Sequence, residues 1–353
     1  MQRTMNDKII EVENLVKYFP LKTGIFKGKT LGYVKAVDDV SFSVTPGETL
    51  AIVGESGCGK TTIANLILRL LDPTSGDIRF KGQSLTKMSS SATKEYRKNV
   101  QAVLQDPYGA LNPRMRVGHI IGEPLEVHGY GKKDREARVR EALKAVGLPD
   151  HVGSQFPHEF SGGQRQRIGV ARALTLEPDL IILDEPVSNL DVSIRSQVLN
   201  LLKDIQQARQ ISYILISHDL ATVEHMSTNI AVMYLGKMVE FAGAEEVCED
   251  PRHPYTASLV AAATPPGKEP PWRTPIVGEV PSALETPSGC AFHPRCAYAL
   301  PHCNRDLPPL IEVEEGRYAA CHLYPDHIGE IDKHAPVTED TPEAFTSMVE
   351  EAA

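Results

Sequence analysis

The feature that most constrains this chain is a glycine-rich loop between an apolar strand and an apolar helix. Residues 49–62 read TLAIVGESGCGKTT, and apolar residues continue at helical spacing to Leu71. The glycines let the backbone curl so that successive N–H groups point inward, and the following helix presents the positive end of its dipole to the same spot. The sequence therefore predicts a cradle for phosphate groups.

The residue types in this loop indicate which side chains would contact the phosphates and a metal ion. Lys60 can reach terminal phosphates as a point charge, and the Thr61 hydroxyl is placed to ligate Mg²⁺. Cys58 needs no chemistry of its own, because the loop works through backbone amides. We expect the phosphates of a nucleotide to be held by Gly54, Glu55, Ser56, Gly57, Cys58, Gly59, Lys60, Thr61 and Thr62.

The pattern around the loop is that of an α/β fold. From residue 9 to about 242, short β-branched runs at 50–53, 100–104, 180–183, 213–216 and 230–234 alternate with longer helical patterns. This alternation predicts a mostly parallel sheet covered by helices. The stretch from about 108 to 174 contains no strand pattern, and its segment 134–146 has helical spacing. We interpret it as a helical insertion.

Two adjacent carboxylates follow the apolar run at 180–183. Side chains alternate in direction along a strand, so Asp184 and Glu185 point different ways. One carboxylate can then bind in the Mg²⁺ coordination shell while the other contacts a water molecule. We assign Asp184 to the metal and Glu185 to the attacking water, as general base or polarising group.

A second anion site is predicted at residues 160–167, which read FSGGQRQR before a helical run. Ser161 suits a helix N-cap, and Gly162 and Gly163 leave the backbone amides uncovered. The first site already has its lysine and magnesium ligands. We therefore expect each chain to lend this second site to the nucleotide of a partner, which forms a composite pocket across an interface.

Charge and hydropathy exclude several classes of protein. The 37 basic and 46 acidic residues give a net charge of −9, which disfavours binding to duplex nucleic acid through a broad basic face. No stretch reaches the roughly 18 apolar residues of a membrane-spanning helix, and the N-terminus has no signal-peptide pattern. We expect a cytosolic chain.

Proline and cysteine mark a different C-terminal zone. Prolines crowd residues 265–309, so loops and turns should dominate there. The predicted boundaries are a nucleotide-binding domain at 1–263 with its helical subdomain at about 108–174, a proline-rich extension at 264–325 and an acidic mobile tail at 326–353. Cys248 lies outside the C-terminal cysteine group, and we interpret it as an ordinary buried thiol.

Four cysteines of the extension suggest metal chemistry. Cys290, Cys296, Cys303 and Cys321 follow the spacing C-x5-C-x6-C-x17-C, without the close C-x2-C pairs of a zinc ribbon. Four thiolates on a turn-rich scaffold can hold an iron-sulfur cluster, with zinc and structural free thiols as alternatives. The neighbouring histidines could replace a thiolate in a zinc site, although we expect them to be surface residues: His293, His302 and His322.

The order of these motifs resembles an ABC-transporter ATPase domain. By that resemblance Gln105 is the Q-loop residue that senses Mg²⁺ and water, SGGQ at Ser161–Gln164 is the signature, and His218 is the switch histidine that holds the γ-phosphate and the water. Asn189 and Asp191 belong to the D-loop that signals across the dimer, here in the form SNLD where SALD is commoner. Adenine would stack on an aromatic residue, for which Phe19 matches best and Tyr18 and Tyr33 are rivals.

The C-terminal extension resembles that of ATPase subunits in dipeptide and oligopeptide importers, most of all the F-type second subunit. The matching stretches are DPRHPYTASLVAA from Asp250, GEVPS from Gly278 and PSGCAFHPRC from Pro287. Some relatives carry a [4Fe-4S] cluster on these cysteines, so the resemblance favours a cluster over zinc.

The resemblance also implies a function and partners. The chain would be an ATPase that couples ATP and Mg²⁺ to the uptake of dipeptides or oligopeptides. Its partners would be a paralogous ABC ATPase, two transmembrane permease subunits and an extracytoplasmic solute-binding protein, with no nucleic acid, at the cytoplasmic face of the inner membrane. The alternatives are a nickel complex or an oligosaccharide as cargo, or a soluble ABC ATPase acting in translation or DNA repair.

Overall fold

The computed structural model describes residues 8–22, 30–106, 108–264 and 278–324. The predicted acidic tail at 326–353 lies outside the described residues, as does the stretch 265–277 of the proline-rich segment. The chain divides into two compact units. The first contains residues up to 15, 41–51 and 61–217, and the second contains 16–40, 52–60 and residues from 218 onward.

The described residues form strands and helices of ordinary length. The strands are β1 (Ile10–Lys22), β2 (Thr30–Val44), β3 (Thr49–Val53), β4 (Ser75–Phe80), β5 (Gln83–Ser84), β6 (Val100–Val103), β7 (Leu180–Asp184), β8 (Ser212–Ile216), β9 (Asn229–Tyr234), β10 (Lys237–Gly243), β11 (Ile311–Glu314) and β12 (Arg317–Ala319). The helices are α1 (Lys60–Ile67), α2 (Ser90–Asn99), α3 (Val117–Val127), α4 (Lys132–Ala145), α5 (Gly162–Leu174), α6 (Val192–Arg209), α7 (Leu220–Met226), α8 (Ala244–Glu249) and α9 (Pro254–Ala263).

The first unit contains the parallel strands β8, β7 and β6, which lie next to one another in that order. Strand β7 pairs in parallel with β6 on one side and with β8 on the other. The side chains of Leu180, Ile181, Ile182 and Leu183 are fully buried, which suits a strand covered on both faces. The predicted α/β fold with a mostly parallel sheet is confirmed here.

Helices fill the stretch between β6 and β7. Among the described residues from 108 to 174 there are α3, α4, α5 and two short 3₁₀ turns, and no strand. This content agrees with the sequence pattern. The boundaries of the domains themselves stay a prediction. In the same unit β4 pairs antiparallel with β5.

The second unit contains the antiparallel strands β11, β12, β10 and β9, which lie next to one another in that order. The C-terminal hairpin of β11 and β12 joins β10 through the pairs Glu240↔Ala319 and Phe241↔Tyr318. Residues 278–310 contain only a 3₁₀ turn at His293–Arg295, in line with their proline content. None of the helices in the described part of the chain is long and apolar enough to cross a bilayer.

Candidate functional site

The predicted phosphate loop leaves the end of β3 and leads into α1, and two of its glycines cannot be replaced without a clash. Gly54 has φ +148°, and a Cβ there would lie 2.2 Å from the carbonyl oxygen of Met233. Gly59 has φ +111°, and its Cβ would lie 2.1 Å from the carbonyl oxygen of Ala36. The loop therefore packs its backbone directly against neighbouring backbone, which only glycine permits.

Lys60 is buried inside the curl of this loop. Its Nζ donates hydrogen bonds to the carbonyl oxygens of Gly54 and Glu55, at 2.7 Å and 2.9 Å, and lies 3.6 Å from the Sγ of Cys58. Burial raises the pKa of the Cys58 thiol although Lys60 opposes the shift, so the thiol is neutral. The side chains of Ser56 and Thr61 are exposed. A preformed positive charge thus sits at the centre of the predicted cradle.

Side chains from distant parts of the second unit hold the first turn of the loop. The backbone N–H of Glu55 donates to the hydroxyl of Tyr255, at 2.8 Å. The guanidinium of Arg295 pairs with both carboxylate oxygens of Glu55, at 2.7 Å and 3.0 Å. Sequence reasoning assigned no role to Tyr255 or Arg295, although Arg295 lies within the matched stretch PSGCAFHPRC.

In the first unit, Gln105 and Glu185 are in direct contact. The Nε2 of Gln105 donates to an oxygen of the Glu185 carboxylate, at 2.7 Å. Glu185 has φ +46°, a left-handed conformation that is uncommon for a residue with a side chain. Its backbone N–H donates to the carbonyl oxygen of Ile216 at the end of β8, which holds it in place. Strained backbone of this kind often marks a functional position.

The segment after Glu185 is tied to the same pair. The hydroxyl of Ser188 donates to the carbonyl oxygen of Glu185, at 3.2 Å. The amide of Asn189 donates to the carbonyl oxygen of Gln105, at 3.3 Å. Asp184 ends β7 and is half-buried, whereas Asp191 is exposed at the start of α6. Gln105 of the predicted Q-loop and Asn189 of the predicted D-loop are therefore in contact in this structure.

The predicted signature segment forms the start of α5. The Oγ of Ser161 accepts from the backbone N–H of Gln164, and the Oε1 of Gln164 accepts from the backbone N–H of Ser161. This reciprocal pair is a capping box, which fixes the helix start. A Cβ at Gly163 would lie 2.3 Å from the Cγ2 of Ile194. The glycine therefore permits the close packing of α5 on α6.

The remaining predicted nucleotide contacts lie in the second unit. His218 is exposed, two residues after β8. Phe19 is half-buried in β1 with the Nζ of Lys17 at 5.1 Å from its ring centroid. The hydroxyl of Tyr18 donates to Asp38 at 2.5 Å, and Tyr33 is 57% exposed. The choice of adenine-stacking residue stays a prediction.

The four cysteines of the extension line one small cavity, together with Phe292 and His253: Cys290, Cys296, Cys303 and Cys321. Burial raises the pKa of the thiols, to about 11 at Cys290 and about 12 at Cys296, and also upward at Cys303 and Cys321. Within the described ranges, no three His, Cys, Asp or Glu side chains are arranged to hold a metal ion. The four cysteines predicted to bind an iron-sulfur cluster thus line the same cavity. In the described residues they do not form a group that could hold a metal ion.

Two expectations about single residues need correction. His322 is 3% exposed and not a surface residue, because its ring packs at 4.8 Å from that of His302 and its Nε2 lies 2.8 Å from the carbonyl oxygen of Asp306. Cys248 is only half-buried at the end of α8. Burial still raises the pKa of its thiol, to about 11, with two nearby glutamates adding to the shift.

Comparison with known proteins agrees with this fold and these motifs. The family described as ABC transporter matches residues 37–188, and the oligopeptide/dipeptide transporter, C-terminal region, matches residues 239–303. A probable peptide ABC transporter ATP-binding protein of Sinorhizobium fredii, y4tS, is 48% identical over 321 residues, which are 90% of this chain and 91% of the relative. The oligopeptide transport ATP-binding protein AppF of Bacillus subtilis is 48% identical over 92% of this chain and all of its own length.

A solved structure gives the same result for the fold. The structure of cbiO1 from Clostridium perfringens, part of an ABC transporter complex, is 28% identical, covers 69% of this chain and 92% of its own, and has a TM-score of 0.60. The chain therefore belongs to the ABC transporter family of ATP-binding proteins and carries the C-terminal region of its oligopeptide/dipeptide transporters. The predicted family and fold class are confirmed.

Proposed function

We propose that this chain is the ATP-hydrolysing subunit of a membrane importer for dipeptides or oligopeptides. The observation that carries the proposal is the hydrogen bond from Gln105 to the Glu185 carboxylate, in a chain that also has a preformed phosphate loop around Lys60. A carboxylate held by a neutral donor keeps its orientation, which a general base for water needs. The named relatives, which are peptide and oligopeptide transport ATP-binding proteins, support the same function.

The proposed roles follow from the chemistry of each group. The backbone amides of the loop and the ammonium of Lys60 bind the phosphates of ATP. The Thr61 hydroxyl, the Asp184 carboxylate and the Gln105 amide oxygen would hold Mg²⁺, which neutralises developing charge on the phosphates when it is bound. Glu185 orients and deprotonates the attacking water, and His218 holds the γ-phosphate and that water. Phe19 stacks on adenine.

The signature helix start is proposed to act on a second subunit. The backbone amides at Gly162 and Gly163 bind the anion, and the capping box between Ser161 and Gln164 keeps this helix start oriented. Two ATPase subunits would close on two ATP molecules, each lending this helix start to the nucleotide of the other. ATP is then a ligand that favours the closed state, and hydrolysis lets it reopen. Asn189 and Asp191 would carry a signal across that interface.

The partners are proposed from the same function. An importer needs transmembrane permease subunits and a solute-binding protein outside the membrane, and the chain would work at the cytoplasmic face of the inner membrane. We propose a paralogous ATPase as the second subunit. Dipeptides or oligopeptides are the favoured cargo because of the oligopeptide/dipeptide C-terminal region, with a nickel complex or an oligosaccharide as the alternative.

The cysteine site is a separate proposal. Four thiols that line one cavity are a donor set suited to a [4Fe-4S] cluster, with zinc as the alternative, and they would have to lose their protons to bind either. Such a group would act as a stabilising clip. The test is iron, sulfide and zinc analysis with absorbance spectra of protein purified without oxygen. A colourless, iron-free and zinc-free preparation of folded protein contradicts the proposal.

The replacement Glu185→Gln tests the hydrolytic function. The variant keeps the hydrogen-bonding shape but cannot take a proton, so ATP binding should persist while turnover falls by about 10²-fold or more. Glu141→Gln is the matched control, because Glu141 is 64% exposed and pairs only loosely with Arg209 at 3.8 Å. Hydrolysis measured with MgATP and the permease subunits should be unchanged in the control. Equal hydrolysis in Glu185→Gln would remove Glu185 from the role.

A further inference from the structure

An arginine of the C-terminal extension is buried against the phosphate loop. The side chain of Arg295 is 6% exposed and that of Glu55 is 23% exposed. The two groups form a two-pronged ion pair, with the guanidinium nitrogens at 2.7 Å and 3.0 Å from the two carboxylate oxygens. This geometry is the strongest form of an arginine–carboxylate pair because it fixes direction as well as distance. It fixes the orientation of the Glu55 side chain.

The surroundings of Arg295 leave it little freedom to move away. The guanidinium lies 5.9 Å from the ring centroid of Tyr234 and 6.0 Å from that of Phe292. The rings of Tyr234, Tyr255 and Phe292 contact one another at centroid distances of 4.7–5.4 Å. Tyr255 is the residue whose hydroxyl accepts from the backbone N–H of Glu55. One packed aromatic group thus supports both contacts to the loop.

The charge of Glu55 gives the ion pair a consequence for nucleotide binding. Glu55 is the only acidic residue of the segment GESGCGKT, and a carboxylate beside a phosphate-binding loop repels the anion that the loop must bind. The carbonyl of Glu55 also accepts from the ammonium of Lys60, at 2.9 Å. Arg295 neutralises this carboxylate and directs it toward the extension. Without Arg295, an uncompensated negative charge would stand beside the cradle.

We propose that Arg295 is a positioning residue for ATP, through which the C-terminal extension sets the charge and the conformation of the phosphate loop. The inference rests on the proposed function, since it concerns the same nucleotide. The C-terminal extension would then have a role in nucleotide binding that does not depend on a metal. Arg295 lies between Cys290 and Cys296 in sequence.

The test measures the dissociation constant of MgATP for the full-length chain by titration calorimetry, with the binding stoichiometry as the measure of folded protein. Arg295→Gln should weaken ATP binding by about tenfold, because it leaves Glu55 unpaired. Arg295→Lys keeps one charge but not the two-pronged geometry, and should fall between Arg295→Gln and the unaltered chain. The double variant Glu55→Gln with Arg295→Gln should recover most of the affinity, since the repelling charge is gone.

A matched control uses another buried arginine of the same extension. Arg317 pairs with Asp250 and Glu314 at 3.1 Å and 2.8 Å, and these are its ion pairs in the described part of the chain. Arg317→Gln should lower stability without changing the affinity for ATP. A double variant that binds no better than Arg295→Gln, or an Arg295→Gln chain that binds like the unaltered one, overturns the inference alone. An unaltered chain that binds no ATP overturns the proposed function, and the inference falls with it.

Discussion

The side-chain amide of Gln105 donates a hydrogen bond to the carboxylate of Glu185 across 2.7 Å. The two residues are 80 positions apart in sequence, and each lies just after a strand of the parallel sheet, β6 and β7. Parallel strands place their carboxyl ends at one edge of a sheet, which is where α/β proteins bind ligands. The contact therefore places a neutral hydrogen-bond donor against the Glu185 carboxylate, which we propose as the general base.

Removal of this donor should affect hydrolysis more than ATP binding. Gln105→Ala leaves the Glu185 carboxylate free to rotate, and we expect turnover to fall by about 10–10²-fold because the base is misplaced. Gln105→Glu should lower it further, since a second carboxylate would face the first. Gln101→Ala is the control, because the Gln101 amide bonds to the carbonyl of Arg97 instead. Steady-state hydrolysis and ATP affinity measured side by side check this prediction, and equal losses in both contradict it.

Gly163 of the predicted signature should differ from an ordinary helical glycine in its tolerance of alanine. At Gly163 a Cβ would lie 2.3 Å from the branched methyl of Ile194, so Gly163→Ala should lower the free energy of unfolding by about 1–3 kcal/mol. Gly169 lies in the same helix with no heavy atom within 4 Å of its Cβ position. Gly169→Ala should raise the free energy of unfolding by about 0.5–1 kcal/mol. Urea unfolding of both variants provides the comparison, and equal shifts would speak against the packing argument.

The buried carboxyl of Glu240 should make stability depend on pH. Its oxygens accept from the backbone N–H groups of Arg252 and His253, yet burial dominates and raises its pKa to about 7. The folded state therefore keeps a proton that the unfolded state loses near pH 4.5. Its contribution to the free energy of unfolding is fully present below pH 4.5 and declines as the pH rises from 4.5 to about 7. Above pH 7 the contribution is lost, a difference of a few kcal/mol.

Glu240→Gln removes this titration and should flatten that decline. The measurement is urea unfolding at several pH values between 4.5 and 8 for both proteins. His253 contributes to the pH dependence of both proteins. Burial lowers the pKa of its imidazole to about 3, so its effect is to lower the free energy of unfolding as the pH falls. The informative quantity is thus the difference between the two proteins. A difference that does not change with pH would mean that Glu240 has an ordinary pKa.

Much of the fold and of the candidate site could be predicted because its signals are local. The strand at 49–53, the glycine loop and the cap at Ser161 each depend on residues within a few positions of one another. The acids at 184 and 185 could be placed at the end of a strand, because the apolar run before them forms β7. These features are specified by backbone conformation and period, which a short stretch of sequence encodes.

Contacts between distant residues could not be predicted in the same way. Arg295 and Glu55 are 240 positions apart, and no period or spacing relates them. The burial of His322 depends likewise on the ring of His302 and the backbone of Asp306. The cysteine spacing predicted that four thiols converge, which they do around one cavity, but spacing alone does not fix the distances that a metal site needs.

The composite pocket is the central claim, and a structure of the assembled transporter tests it most directly. The Glu185→Gln variant, bound to MgATP and to its partner ATPase, should hold the closed state long enough for cryo-electron microscopy. We predict that the amides at Gly162 and Gly163 of one subunit lie within about 3 Å of the phosphate held by the glycine loop of the other. The account would be contradicted if the signature and the glycine loop lay far apart in that map and isolated monomers of the unaltered chain hydrolysed ATP at the full rate.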